Sequence, residues 1–179
     1  MIKPAKGILS ERNVIIWDID QANVIYFSGF FGKPMNIKKP KGPFKEPLVL
    51  DPIESIYLSE KKKLEVYDGD KKIGPTRLMD FFKKSYESLE EKYAVYSFLR
   101  DQGYVVLPGI KFGGDFAVYR KGPGLEHAPY ILNVVKEGKI LSVAEIVLAG
   151  RLARSVKKKY IFALASKRPL LIGLEWWKP

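Results

Sequence analysis

The sequence has no cysteine and a single histidine, His127, among its 179 residues. The absence of cysteine excludes disulfides and thiolate metal sites, and one histidine cannot build a zinc site from several imidazoles. No apolar run approaches the ~18 residues that a membrane helix needs, and the N-terminal segment MIKPAKGILSERN lacks the apolar core of a signal peptide. We therefore expect a soluble protein of the cytoplasm.

Positive charge, in contrast, is abundant. Lysine and arginine number 31 against 20 acidic residues, which gives a formal net charge of +11 and a sequence pI near 9.6. Such a surplus favours a polyanionic partner, because cations that neutralise phosphates release bound counterions. A lysine-rich solvated surface, as in proteins of thermophiles, is the alternative. Charge alone does not decide between them.

The first half of the chain alternates strand, loop and helix signals. Residues 13–19 and 23–27 are apolar and β-branched around a short polar stretch, which predicts a β-hairpin. Residues 32–47 carry four prolines among basic and polar residues, and they are predicted to form a long loop. Asp51 followed by Pro52 is typical of an N-cap and a first helical residue, so a short helix is predicted there.

A helical stretch at residues 76–102 separates the two halves. Ser88 and Glu91 form a capping-box pattern inside it, so two helices are predicted. A second capping box, Ser142 with Glu145, predicts one more helix, which ends near Lys158. Strands are predicted at residues 104–107, 115–120, 130–135, 160–165 and 170–176. These patterns predict an α+β protein with a small mixed α/β domain over residues 1–86 and a mixed-sheet domain over residues 87–179.

Three side chains in the second half are candidates for chemistry. Tyr119 ends a predicted strand beside a basic, glycine-rich loop, and His127 follows at the start of the returning strand, so a hairpin can bring both to one rim. Lys158 lies in a run of three lysines at a helix end. Each residue alone has a structural explanation: a half-buried strand tyrosine, a structural histidine, and a solvated helix C-terminus favoured by the macrodipole.

Together the three side chains match one reaction, the cleavage of RNA by its own 2′-hydroxyl. That reaction needs a base for the 2′-hydroxyl, an acid for the leaving 5′-oxygen and a cation for the charge that develops on phosphorus. Histidine is suited to the acid role near neutral pH. Tyrosine, with a reference pKa of about 10, needs a nearby positive charge to act as a base, and Lys158 could supply it. The reaction requires no metal or other cofactor.

Three segments carry a resemblance to a known family. They read G-x-x-F-G-G-D-F-x-V-Y-R-K-G over residues 109–122, E-H at residues 126–127 and R-x-x-R-S-V-K-K-K over residues 151–159. In this order and spacing, the chain resembles the C-terminal catalytic domain of archaeal tRNA-splicing endonucleases. The resemblance implies a nuclease core similar to that of restriction endonucleases. It also implies that Tyr119 is the general base, His127 the general acid and Lys158 the residue that stabilises the transition state.

The resemblance further implies a substrate. It is precursor tRNA whose intron boundaries fold as a bulge–helix–bulge, recognised by its shape and by splayed bases. The products would carry 2′,3′-cyclic phosphate and 5′-hydroxyl ends. Family members clamp a bulged nucleotide between two cationic or planar side chains. Arg151 matches the first position, and Trp177, which can stack on a base, is our choice for the second.

One departure from the family pattern concerns assembly. Homotetrameric members carry an acidic loop between the last two strands, which docks on an opposing subunit. The corresponding residues here are Ser166, Lys167, Arg168 and Pro169, which form a basic loop. This loop, together with the long loop at residues 32–47, resembles catalytic subunits that pair with a separate structural subunit. The resemblance therefore implies an α2β2 heterotetramer with a structural paralogue.

Two alternatives stay open. The first is a metal-dependent nuclease in which Asp115 supplies a carboxylate, although the next predicted strand, YILNVV, lacks the acid-x-Lys pattern that such enzymes need. The second is a non-catalytic, RNA-binding or structural subunit of the same complex. Such a subunit is expected to have lost at least one of Tyr119, His127 and Lys158, and this chain has all three.

Overall fold

The computed structural model describes residues 3–38 and 40–174. The chain folds as two compact units, Met1–Glu90 and Glu91–Pro179. Each unit combines helices with a β-sheet, so the predicted α+β class is confirmed. The domain boundary predicted between residues 86 and 87 stays a prediction. Across the described residues, every helix falls short of the length and apolar character needed to cross a bilayer.

The first unit is built on a six-stranded mixed sheet with the strand order β3-β4-β2-β1-β5-β6. Its central strand β1 pairs antiparallel with β2 and parallel with β5. Its elements are β1 (Ala5–Leu9), β2 (Val14–Ile16), α1 (Ile19–Phe27), β3 (Lys33–Pro34), β4 (Leu48–Leu50), α2 (Pro52–Glu60), β5 (Leu64–Asp68), β6 (Lys71–Ile73) and α3 (Pro75–Phe82).

Helix α1 replaces the second strand of the predicted hairpin, so that prediction is wrong. The Asp18 side chain accepts a hydrogen bond from the Gln21 backbone N–H at 2.9 Å and thereby caps the helix. The buried positions Ala22, Ile25 and Tyr26 follow helical spacing. The β-branched composition favoured a strand, but the cap and the buried helical face outweigh that weak preference.

Helix α2 begins as predicted at the Asp51 cap. Asp51 accepts from the Glu54 N–H at 2.9 Å, and Glu54 accepts from the Asp51 N–H at 3.1 Å, which completes a capping box. The other Glu54 oxygen accepts from the Gly32 N–H at 2.9 Å, at the start of the long loop. Further along that loop, the Asn23 side chain bonds both the N–H and the carbonyl of Phe44. The predicted loop is therefore held to the first unit at two points.

The second unit contains a five-stranded sheet with the order β11-β10-β9-β8-β7. Only β9 and β10 pair in parallel, and the intervening helix α5 makes the crossover. A core cluster that includes Ile131, Ala149 and Tyr160 lies between α5 and the sheet. The elements are α4 (Leu89–Asp101), β7 (Val105–Pro108), a 3-10 turn (Ile110–Phe112), β8 (Phe116–Tyr119), β9 (Tyr130–Lys136), α5 (Val143–Ser155), β10 (Lys159–Ala165) and β11 (Leu170–Leu174).

The two capping boxes predicted in the second half have different outcomes. Ser142 and Glu145 form theirs, with each side chain accepting from the other's backbone N–H. Ser88, by contrast, precedes α4 with φ of 54°, which is the left-handed region and not the extended backbone of a capping serine. Ser88 therefore does not have the backbone of an N-cap, and the break between helices α3 and α4 has a different local geometry from the predicted one.

Helix α5 ends earlier than predicted. Its last residue is Ser155, and Lys157 adopts a left-handed φ of 53°. The Lys158 N–H then donates to the Ala153 carbonyl at 2.9 Å, and the Lys157 N–H donates to the Arg154 carbonyl at 3.2 Å. This pair of bonds is the Schellman pattern. Lys158 consequently lies in the turn between α5 and β10, one residue before the strand begins.

Candidate active site

The turn between β7 and β8 depends on three glycines. A Cβ on Gly109 would lie 2.6 Å from the backbone carbon of Phe116, and a Cβ on Gly114 would collide with the Ile131 side chain. Gly113 has φ of 76°, a left-handed conformation that glycine adopts without steric cost. Close packing thus explains Gly109 and Gly114 of the motif, and the left-handed backbone explains Gly113.

Asp115, at the end of this turn, joins three elements of the second unit. One carboxylate oxygen lies 3.0 Å from Lys92 Nζ on α4, and the other accepts the Val134 N–H at 2.8 Å. The Asp115 N–H in turn donates to Asn133 Oδ1 at 3.0 Å. Both oxygens therefore serve the connection between β8, β9 and α4. Within residues 3–38 and 40–174, acidic and histidine side chains form no cluster of three that could hold a metal ion.

Lys158 is held at two points. Its ammonium donates to the Ala128 carbonyl at 2.7 Å, and it lies 4.9 Å from the centroid of the Phe112 ring, a cation–π distance. Lys111 lies over the same ring at 4.7 Å. Burial lowers the pKa of Lys158, and the charge of Lys111 lowers it further. The ammonium is thus fixed between the glycine turn and the residue that follows His127.

Tyr119 ends strand β8 and is 8% exposed. Burial raises the pKa of its phenol, and the negative charge of Glu126 raises it further. This direction is opposite to the lowering that we expected Lys158 to supply, because burial and a carboxylate both disfavour the phenolate. The Tyr119 hydroxyl therefore keeps its proton more firmly than that of an ordinary tyrosine.

His127 lies in an exposed loop between two anchored neighbours. On one side, Glu126 accepts from the Lys121 N–H at 2.6 Å, and on the other, the carbonyl of Ala128 accepts from Lys158. Strand β9 begins only at Tyr130, so His127 precedes the strand instead of starting it. The imidazole makes no hydrogen bond with any other residue that the structure describes. The backbone is thus held while the ring faces solvent.

An open, basic groove of about 690 Å³ adjoins these residues. Lys158 lines it, and so do Arg120 and Glu126, the chain neighbours of Tyr119 and His127. Its lining comprises Arg120, Glu126, Pro129, Tyr130, Ala153, Arg154, Lys157, Lys158, Lys159 and Leu174. The structure therefore brings Lys158 to the loop that follows Tyr119 and contains His127.

The two predicted substrate-clamping residues are placed differently. Arg151 is exposed on α5, one helical turn before Arg154, and it is not part of the groove lining. Trp177 lies outside the described residues, so its assignment stays a prediction.

Comparison with known proteins agrees with the motifs. Residues 89–169 match the model of the tRNA intron endonuclease catalytic C-terminal domain, and residues 5–79 match the model of the N-terminal domain of the same family. The chain belongs to the tRNA intron endonuclease family.

Relatives of this endonuclease family are similar over almost the whole chain. The tRNA-splicing endonuclease of Hyperthermus butylicus is 41% identical over 179 residues, covering 97% of this chain and 99% of the relative. That of Sulfolobus acidocaldarius is 41% identical over 165 residues, with 91% of both chains covered. That of Saccharolobus solfataricus is 39% identical over 167 residues, also with 91% of both covered. The predicted resemblance is confirmed.

Sequence reasoning missed several contacts of this endonuclease domain. Phe112 belongs to the quoted motif, but nothing in the pattern indicated that its ring contacts Lys158. Arg120 follows Tyr119 directly, and its guanidinium donates to the Tyr130 hydroxyl at 2.6 Å. Arg154 was part of the quoted motif and received no role. The only signal for these residues was their position beside the three candidates.

Proposed function

We propose that this chain removes introns from precursor tRNA by metal-independent cleavage of RNA at the intron boundaries. The observation that carries the proposal is the position of Lys158, whose ammonium is fixed on the carbonyl next to His127 at the edge of a basic groove. Family membership supports the reaction class. The full set of Tyr119, His127 and Lys158 favours a catalytic subunit over a structural paralogue.

The proposed reaction transfers phosphorus within the RNA. The 2′-oxygen forms a bond to the adjacent phosphorus while the bond from phosphorus to the 5′-oxygen breaks. Tyr119 takes the proton of the 2′-hydroxyl, and the His127 imidazolium gives a proton to the leaving 5′-oxygen. Lys158 stabilises the negative charge of the pentacovalent state. The ends would be a 2′,3′-cyclic phosphate and a 5′-hydroxyl.

The raised pKa of Tyr119 sets a condition on this mechanism. At a reference pKa of about 10, roughly one phenol in a thousand is ionised at pH 7, and burial with Glu126 lowers that fraction further. Only a small fraction of the protein molecules therefore carries the phenolate base at neutral pH.

Substrate recognition in the proposal relies on shape. Arg151 and Trp177 would hold a nucleotide that is splayed out of a bulge–helix–bulge. The exposure of Arg151 and the formal charge of +11 are compatible with a contact to structured RNA.

The proposed assembly is an α2β2 heterotetramer with a structural paralogue. The loop between β10 and β11 presents Lys167 and Arg168 to solvent, and the Ser166 hydroxyl bonds the Arg168 carbonyl at 2.6 Å. Its charge is opposite to that of the acidic docking loop that the resemblance implies for homotetrameric members of the family. The partner would supply the acidic segment. Full activity of the isolated chain as a homotetramer would remove this requirement.

The deciding experiment maps the ends left on a bulge–helix–bulge RNA by the purified complex. Cyclic phosphate and 5′-hydroxyl ends, formed equally well in EDTA, would support the proposal. A matched RNA with a 2′-deoxy residue at the cleavage position should stay intact, because it lacks the nucleophile. Ends with 3′-hydroxyl and 5′-phosphate, or cleavage abolished by EDTA, would instead indicate a metal-dependent nuclease.

A further inference from the structure

The groove beside Lys158 is more basic than the proposed reaction requires. Among its lining residues that the structure describes, the one carboxylate is Glu126, which accepts a backbone hydrogen bond from Lys121 at 2.6 Å. Its five cationic lining residues are Arg120, Arg154, Lys157, Lys158 and Lys159. A transition state at a single phosphorus needs one of these charges. The others make the groove more positive than a single phosphate needs.

Arg120 on one side of the groove is oriented by a neighbour. Its Nη2 donates to the Tyr130 hydroxyl at 2.6 Å, and its guanidinium lies 5.7 Å from the centroid of the Tyr130 ring. Tyr130 begins β9 and pairs with Val118 of β8, so both partners stand at the same end of the hairpin. Guanidinium has five N–H donors in a fixed fork, and this bond occupies only one of them. The remaining donors make no hydrogen bond within residues 3–38 and 40–174, so they can bind an anion.

The end of α5 supplies further cations to the groove. Arg154 lies in the last helical turn, and Lys157 takes the left-handed position that ends the helix. The Schellman hydrogen bonds fix the turn that contains Lys157 and Lys158, and both residues line the groove. Lys158 therefore shares one groove with Arg120 of the hairpin and Arg154 of the helix.

We propose that this groove binds the backbone phosphates that flank the cleaved linkage, with Arg120 and Arg154 as their ligands and Tyr130 as the residue that orients Arg120. The inference rests on the proposed function, since it takes the scissile phosphate to lie at Lys158. Arginine forks suit phosphate oxygens, and such contacts are independent of base identity. The groove thus sets the register of the strand without reading its sequence.

The first test measures RNA binding against salt concentration. The probe is the bulge–helix–bulge RNA with a 2′-deoxy residue at the cleavage position, bound by the intact complex. Arg120→Gln and Arg154→Gln should each reduce the slope of log affinity against log salt by about 1, the effect of losing one phosphate contact. Lys71→Gln, the same loss of charge at an exposed position of β6, should leave the slope unchanged.

The second test separates Tyr130 from Arg120. Tyr130→Phe removes only the hydroxyl and keeps the ring, so it should raise KM in the same direction as Arg120→Gln while leaving kcat within about twofold. In the double variant the two losses should not add, because Tyr130 acts through Arg120. Independent, additive losses would overturn the orienting role. Thermal unfolding of each variant checks that the fold is intact.

The third test identifies the phosphate. Single methylphosphonate linkages next to the cleavage position remove one negative charge each. At the linkage that Arg120 contacts, the methylphosphonate should weaken RNA binding by the wild-type complex. It should cause no further loss of affinity in the Arg120→Gln variant. If no linkage shows this overlap and the salt slopes of both arginine variants stay at the wild-type value while cleavage continues, the groove does not bind RNA, and the proposed function still stands.

Two further outcomes distinguish a failure of this inference from a failure of the proposed function. If both arginine variants lose the partner subunit on size exclusion but keep the wild-type salt slope, the groove docks an acidic protein segment, and the inference is overturned. If the wild-type complex itself leaves no cyclic phosphate ends, it is the proposed function that fails.

Discussion

Two loops of the second unit carry the family motif, and they differ in almost every physical property. The turn at residues 109–115 is packed tightly, since a Cβ on Gly109 or Gly114 would strike its neighbours. The loop at residues 120–129 is open, and a Cβ on Gly124 would meet nothing within 4 Å. The first turn ends in an ion-paired aspartate, whereas the second presents His127 to solvent.

The difference teaches that one motif serves two purposes. In the tight turn, Phe112 contacts the Lys158 ammonium and so helps to hold it, together with the Ala128 carbonyl of the open loop. Residues of the open loop are placed to meet the substrate. Substitutions in the tight turn should therefore reduce stability first and activity second, and substitutions in the open loop should do the reverse.

The largest effect on the cleavage rate is expected from a substitution in the open loop. His127→Ala should reduce the cleavage rate by about 10²–10⁴-fold, the usual contribution of a general acid. RNA affinity and the unfolding temperature should stay near wild type, since the ring makes no hydrogen bond within the described residues. Single-turnover cleavage and a binding assay on the 2′-deoxy RNA measure the two quantities. An unchanged cleavage rate would remove His127 from the mechanism.

The pH dependence of the same variant sharpens the role of Tyr119. In the proposed mechanism Tyr119 acts as a phenolate, so the fraction of active base grows with pH until the pKa of Tyr119 is passed. In His127→Ala only the base remains, and the raised pKa of Tyr119 puts its ionisation on the alkaline side. Residual cleavage should therefore rise about tenfold per pH unit from neutral pH upward. A flat profile would contradict a phenolate base.

The next effect concerns the tight turn. Gly114→Ala should destabilise the protein by about 1–3 kcal/mol, because the new methyl group overlaps Ile131 and backbone that has little room to move. Gly173→Ala on β11 is the matched control, since a Cβ there meets nothing within 4 Å. Urea denaturation of both variants measures the difference. Equal stability of the two would show that the turn relaxes easily.

Local signals explain what the sequence allowed us to predict. Asp51 with Glu54 and Ser142 with Glu145 cap their helices within four residues of chain, so the pattern contains the whole interaction. The motif around Asp115 and the separated Tyr119, His127 and Lys158 were sufficient for the family. Helix α1 was missed because its Asp18 cap lies inside an apolar stretch that favoured a strand.

Contacts across the sheet were beyond prediction. Lys158 reaches the carbonyl of Ala128, 30 residues earlier, only because β9 and β10 pair in parallel with Lys159 opposite Tyr130. The environment of Tyr119 also depends on this packing, which buries the phenol beside Glu126. Residue types and spacing indicated that a phenol was present, but they contained no information on its burial or on the direction of its pKa.

A smaller loss of stability is expected from Asp115→Asn. The amide keeps an oxygen for the Val134 N–H but loses the ion pair with Lys92, whose side chain is 21% exposed. We expect about 1 kcal/mol of destabilisation, since partly exposed charged bonds contribute little more than neutral ones. Cleavage at a temperature well below unfolding should fall less than threefold. If Asp115→Asn cleaved as poorly as His127→Ala at equal stability, a chemical role for the carboxylate would follow.

The smallest expected effect tests whether the tight turn reaches the chemistry through Phe112. Phe112→Leu keeps apolar volume against the core but removes the ring under Lys158, at a cost of about 0.5–1 kcal/mol. If that interaction holds the ammonium in its reactive position, kcat should fall by about two- to fivefold with KM unchanged. Phe112→Tyr keeps the aromatic face and should restore the wild-type rate. Equal rates for the leucine and tyrosine variants would mean that the Ala128 carbonyl alone positions Lys158, and the two loops would then act independently.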